Sequence, residues 1–189
     1  MKYLVLLAGC GLGDGSCIEE VILTYAALDR YGCDYTPAAE NISVPSVNHL
    51  TEQTAEKRNL FSEAARIGRG RIKEIHEIDF EEYDALILPG GIGLLHNYKN
   101  SDAAAACVAH FIGRKKPIAS MCAGIDFLRG FLGKNLLACE TKELTAENFC
   151  FDAGSNIYYT PAFRKTASCY TALLGIDSMI SALTQAQTA

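Results

Sequence analysis

Residues 120–124 read Ser-Met-Cys-Ala-Gly, a thiol between small side chains at the end of the apolar run Pro-Ile-Ala-Ser-Met. A strand that turns sharply into a helix needs small residues two before and two after its corner, because larger ones would collide. Ser120 and Gly124 meet that need around Cys122. A cysteine at such an elbow is a candidate nucleophile, since a helix N-terminus stabilises the thiolate and lowers the thiol pKa. The competing reading is a buried cysteine that fills a strand end. A second run, DALIL at 84–88, stops at Pro89-Gly90-Gly91. Paired glycines let backbone amides approach a ligand as an oxyanion hole requires, and they serve a plain tight turn equally well. The third cluster, Gly9 to Gly15, invites a dinucleotide reading, but no triplet in it fits G-x-G-x-x-G.

These turns need strands and helices to hold them. Residues 2–8 form a short apolar run, as a parallel strand buried on both faces would. From Ser16 the period changes: Ile18, Val21, Ile22, Tyr25 and Leu28 recur at helical steps, Gly32 closes the element, and Ser16 with Glu19 forms a capping box. A second strand is predicted over 33–39, weakened by Pro37, then a loop over 41–52 and a helix over 55–67. The stretch 71–83 carries no single pattern. Ser101 caps an alanine-rich helix to Gly113, 117–121 is a strand, and a helix follows from Ala123. Late strands are predicted at 136–139 and 157–160, and Tyr170, Leu173, Ile176, Ile180 and Leu183 mark the apolar stripe of a last helix. Short strands alternating with helices imply an α/β fold, a three-layer sandwich with a mainly parallel sheet, in one domain over residues 1–189. All three glycine turns then lie at the carboxyl edge of the sheet, where such folds bind ligands.

The 189 residues carry 17 Lys+Arg against 22 Asp+Glu, a net charge of −5, which provides no footprint for nucleic acid or an anionic membrane. With 49% apolar and 21% charged residues the chain is globular rather than disordered, and no apolar run is long enough to span a bilayer. The opening apolar stretch runs into a glycine loop and an acidic helix, so it reads as a strand and not a signal peptide, which points to the cytoplasm. Eight cysteines, at 10, 17, 33, 107, 122, 139, 150 and 169, include no C-x-x-C pair and no zinc spacing with the four histidines; no metal is expected. Arg66, Arg69, Arg71 and Lys73 read as a solvated helix end.

Several segments together resemble the ThiJ/PfpI superfamily, which shares its sheet and cysteine elbow with class I glutamine amidotransferases, and within it the ElbB-like glyoxalase group. They are GCGLGDGSCIEE at 9–20, VNHLTE at 47–52, RNLFSEAARIGRGRI at 58–72, ALILPGGIG at 85–93, PIASMCAG at 117–124, TPAF at 160–163 and GIDSMISAL at 175–183. The resemblance implies a flavodoxin-like α/β/α sandwich, a homodimer, and a cysteine–carboxylate pair. The elbow cysteine falls on Cys122, the carboxylate on Glu20, and the oxyanion donors on the amides of Gly91 and Ala123. Glu19 is the neighbouring rival for Glu20 and is already explained by the capping box. His49, Gly90 and Gly11 are candidates for the pocket lining, with a hydrogen-bonded loop role the alternative for His49.

This sequence departs from the amidotransferases, because His49, His76, His96 and His110 all precede Cys122, so a Cys-His-Glu triad in the usual order is missing. The region 133–160 is also shorter than in typical ElbB-like proteins. The resemblance implies a cofactor-free glyoxalase that takes a small 2-oxoaldehyde such as glyoxal through a hemithioacetal at Cys122, with Glu20 moving the proton. Two readings from other classes stand beside it: a redox sensor built on the same thiol, and a scaffold that keeps the elbow without turnover.

Overall fold

A computed structural model describes residues 1–133 and 143–187. The elements run β1 (Lys2–Leu6), α1 (Ile18–Arg30), β2 (Asp34–Ala39), β3 (Ser43–Val47), β4 (Thr54–Asn59), α2 (Leu60–Ile67), β5 (Lys73–Glu74), β6 (Ala85–Leu88), α3 (Gly93–Asn97), α4 (Asp102–Gly113), β7 (Ile118–Met121), α5 (Gly124–Leu132), β8 (Cys150–Asp152), β9 (Ile157–Thr160) and α6 (Cys169–Ala186). Seven strands form one sheet in the order β5-β2-β1-β6-β7-β9-β8. Every pairing in it is parallel except β8 with β9. Residues Tyr3 to Ala8 and Ala85 to Leu88 are wholly buried, as strands covered on both faces must be. Helix α1 packs on α6, and α4 packs on α5, so helices flank the sheet as the α/β sandwich requires.

The chain winds from β1 outward through β2 and β5, then returns to β6 on the other side of β1. That reversal opens a crevice at the carboxyl ends of β1 and β6, the usual ligand position in such sheets. The two glycine turns that line it are hydrogen-bonded to each other: Cys17 N–H donates to Gly90 O at 2.8 Å, Ile92 N–H to Leu12 O at 2.8 Å, and Gly93 N–H to Gly15 O at 3.1 Å. Among the described residues no helix is long and apolar enough to cross a membrane.

Four expectations need correction. Ser16 does not cap α1. Its hydroxyl accepts Ala8 N–H at 2.9 Å inside the glycine loop, and the N-cap position falls on Cys17, which makes no side-chain cap. Glu19, released from the capping box, accepts the Cys17 thiol at 3.3 Å. The loop expected over 41–52 contains β3, and residues 54–59 form its antiparallel partner β4 instead of the first turn of a helix; α2 starts at Leu60, capped by Asn59. Every residue of β4 is exposed, so no alternation marked it as a strand. The buried stripe of α6 is Ala172, Gly175, Ile176, Met179, Ile180 and Leu183, while Tyr170 is 70% exposed. The strand expected at 136–139 lies outside the described residues. By contrast, α4 begins as read: Ser101 Oγ accepts Ala104 N–H at 3.0 Å.

Candidate active site

Cys122 follows β7 at φ 45°, a left-handed conformation that is strained for any residue with a Cβ. Its N–H donates to Thr160 O at 3.1 Å, which ties the corner to the end of β9. The small neighbours are required: a Cβ on Gly124 would lie 2.6 Å from Ser120 Oγ and 2.9 Å from Leu88 O. The thiol is half-buried, and all seven described cysteines are free.

Glu20, in the first turn of α1, is completely buried. Its Oε2 accepts Gly90 N–H at 2.6 Å. Its Oε1 is buried without a hydrogen-bond partner of its own, yet the Cys122 thiol and the Phe163 amide both act on the carboxyl group. Gly90 sits in the gap between the pair. A Cβ there would stand 2.5 Å from Glu20 Oε2 and 2.8 Å from Cys122 Cβ, so only glycine lets the carboxyl group and the thiol meet. Burial pushes the Glu20 carboxyl up to about 7, against the lowering pull of the hydrogen bonds from Gly90, Phe163 and Cys122. A carboxyl group poised there can both take and return a proton at neutral pH.

The thiol does not follow the helix-terminus expectation. Burial, then the charge of Glu20, push Cys122 up to about 11; Arg164 and the Ala123 amide pull the other way and are outweighed. The resting sulfur is therefore protonated, and Glu20 is the group beside it able to take that proton. In the raised Glu20 pKa desolvation dominates, and the thiol lowers it.

The other candidates fall in two places. Gly91 and Ala123 are the chain neighbours of Gly90 and Cys122, which lie against each other, and Gly91 N–H has no partner among the described residues. Gly91 has φ 114°, and a Cβ on it would lie 2.2 Å from Gly15 O and 2.7 Å from Cys17 N. Both obstacles are backbone, so Gly91→Ala is expected to destabilise the fold by about 3 kcal/mol, readable as a drop in the urea midpoint at unchanged m. His49 and Gly11 lie together at the tip of the β3–β4 ribbon. Gly13 N–H lies 3.1 Å from His49 Nε2 and Nδ1 faces Val47 O at 3.1 Å, contacts that pin the ribbon to the glycine loop. Its ring lies 2.8 Å from where a Gly11 Cβ would stand.

Sequence reasoning passed over Arg164 and Asp126. Arg164 ends a short 3₁₀ turn after β9, is paired with Asp126 on the first turn of α5, and acts on the Cys122 thiol. No local pattern announces that meeting, which depends on β9 pairing with β7. A cavity of about 510 Å³ opens between Tyr25, Tyr35 and Arg71 at the amino end of β2, at the opposite edge of the sheet from the elbow. Among the described residues no group of His, Cys, Asp and Glu could hold a metal ion.

This elbow and its carboxyl partner are carried on a chain that matches the DJ-1/PfpI family over residues 12–134. The protein belongs to the DJ-1/PfpI family. Among solved structures, one from Ehrlichia chaffeensis, described as an isoprenoid biosynthesis protein with an amidotransferase-like domain, superposes with a TM-score of 0.88. It is 29% identical, covering 98% of each chain. Oxidised Toxoplasma gondii DJ-1 matches at 15% identity and a TM-score of 0.56 over 99% of this chain and 97% of its own, a likeness of fold. The rat mitochondrial ES1 protein homolog is 31% identical over 136 residues, 64% of this chain and 50% of the rat protein. The human mitochondrial glutamine amidotransferase-like class 1 domain-containing protein 3 is 33% identical over 99 residues, 51% of this chain and 37% of its own. The chain thus spans half or less of the length of these two relatives.

Proposed function

We propose that this DJ-1/PfpI protein is a cofactor-free glyoxalase acting on glyoxal or a similar small 2-oxoaldehyde. The observation that carries the reading is the buried Glu20 carboxyl, poised near neutrality against the Cys122 thiol at the elbow. Glu20 takes the thiol proton as the sulfur bonds to the aldehyde carbon, and the amides of Gly91 and Ala123 hold the charge that moves onto oxygen. That oxygen takes the proton back from Glu20 to give a hemithioacetal. Glu20 then removes the hydrogen from the carbon bearing sulfur, an enediol forms, and the proton returns to the neighbouring carbon. The product is a thioester, which water cleaves to the hydroxy acid and free Cys122. Apart from that water, every step uses groups on this chain, and His49, held between Gly13 and Val47, takes no part.

Leu12, Ile18, Ile22 and Ile92 are exposed apolar residues on the loops and helix around the site. We read them as the face of a homodimer. A free reactive thiol also needs a reducing compartment, in keeping with the cytoplasmic expectation. The redox-sensor reading requires a thiolate at rest, and the raised Cys122 pKa works against it. The deciding experiment supplies purified protein with glyoxal and no added metal or thiol and follows glycolate by NMR. Glycolate formation above the buffer rate is expected. A flat trace over a panel of 2-oxoaldehydes would overturn the glyoxalase reading, and Cys122 oxidised by mild peroxide ahead of every other cysteine would then favour the sensor.

A further inference from the structure

We infer that Arg164, held in place by Asp126, is the counter-ion of the Cys122 thiolate, and that it draws the shared negative charge of the Glu20–Cys122 pair onto sulfur. The inference rests on that pair being the reacting centre; it does not depend on which electrophile the pair attacks.

The turn after β9 is built to return groups to the elbow. Thr160 O holds Cys122 N–H, the chain reverses at Pro161, and Ala162 takes φ 45° although it is not glycine. Such backbone persists only where the surroundings dictate it. The next two residues then return to the site: the Phe163 amide acts on the Glu20 carboxyl, and the Arg164 guanidinium, paired with Asp126 one turn along the chain from Cys122, acts on the Cys122 thiol. Arg164 cannot swing away freely, because Asp126 pairs with it, and Asp126 is itself held by Arg129 at 2.8 Å. Asp126 lies on α5, the helix that starts at the Cys122 corner, so the guanidinium is fastened to the same element as the nucleophile.

The charges that face the sulfur are therefore Glu20 from α1 and Arg164 from the β9 turn; Asp126 and Tyr159 act through Arg164. When Glu20 is ionised, the pair holds one negative charge and one proton. Moving the proton from sulfur to the carboxylate leaves the total unchanged but places the charge against the guanidinium, so Arg164 favours the thiolate and the neutral carboxyl group. A neutral residue at 164 removes that preference.

The test is the rate of Cys122 alkylation by iodoacetamide against pH, read by peptide mass spectrometry, in the wild type, Arg164→Gln, Arg164→Lys and Asp126→Asn, with thermal melting as a control for folding. No substrate enters this measurement, so its result is separate from that of the glyoxal assay. Arg164→Gln is expected to slow alkylation at pH 7 by about tenfold and move its midpoint upward by about one pH unit, with Arg164→Lys recovering part of the loss and Asp126→Asn losing part of the rate. A wild-type rate and midpoint in a folded Arg164→Gln protein would overturn the inference. If that variant melts early, Arg164→Lys and Asp126→Asn carry the decision, and wild-type profiles in both would overturn it equally.

Discussion

Cys122→Ala is expected to reduce aldehyde turnover to the uncatalysed rate, a loss of at least about a thousandfold, while the protein stays folded. The two halves of this result have separate causes. The chemistry needs a sulfur to bond to the aldehyde carbon, and no other described cysteine stands against Glu20 with the geometry of the elbow. The fold needs only a residue small enough for the corner. Alanine keeps the Cβ, suffers the same left-handed strain at φ 45°, and keeps the N–H that bonds Thr160 O. The cost in stability is then the packing of one half-buried sulfur, on the order of 1 kcal/mol. A further consequence separates this account from a merely structural cysteine. The thiol lowers the Glu20 pKa, so its removal should move the Glu20 titration upward from about 7. Steady-state glyoxal kinetics and a chemical melt of the variant check both halves.

The second large effect is at Glu20. Glu20→Gln preserves size and an oxygen able to accept the Gly90 amide, but it cannot take the thiol proton. Turnover should fall by about a hundredfold to ten-thousandfold. In the wild type the rate should climb as pH rises towards and through about 7, because the base form of Glu20 is the ionised one, and the variant should lose that limb. Stability moves the other way. The folded pKa is raised from the ordinary 4.5 to about 7, so the neutral buried carboxyl contributes its full stability below 4.5. That contribution is lost as pH climbs from 4.5 to about 7 and stays lost above. The displacement amounts to about 3 kcal/mol. Glu20→Gln has no such loss, so its unfolding free energy should overtake the wild type's across that window, by an amount that is largest above pH 7. A protein that holds a destabilising charge at its reacting centre exchanges stability for function in this way.

Much of the frame around the site is legible in the sequence because its signals are local and strong. The β6 and β7 strands are unbroken apolar runs halted by glycine turns, and the corner at Cys122 is framed by Ser120 and Gly124, whose need to be small is confirmed by the 2.6 Å approach. The β3–β4 ribbon is not legible. Its outer strand, TAEKRN, is exposed on every residue, and Pro45 interrupts the inner one, so pairing alone makes it a strand. Glu20 is a middle case: Glu19 and Glu20 are equivalent as residue types at a helix start, and only the family register separates them. The structure separates them physically, burying Glu20 completely and leaving Glu19 exposed beside the Cys17 thiol. Ser16 fails as a cap because the Gly9–Ser16 loop has its own use for the hydroxyl, an interaction across the loop that spacing cannot report. Arg164 is the least legible of all, since Asp126 and the β7–β9 pairing decide where its charge goes.

The carboxyl group that shares a proton with the elbow thiol can be observed directly. A carbon-13 NMR titration of the protein labelled at glutamate, with Glu20 assigned by the Glu20→Gln spectrum, should show one carboxyl resonance with a midpoint near 7, and that midpoint should shift in Cys122→Ala. A Glu20 midpoint near 4.5, unmoved by loss of the thiol, would contradict a proton shared between them.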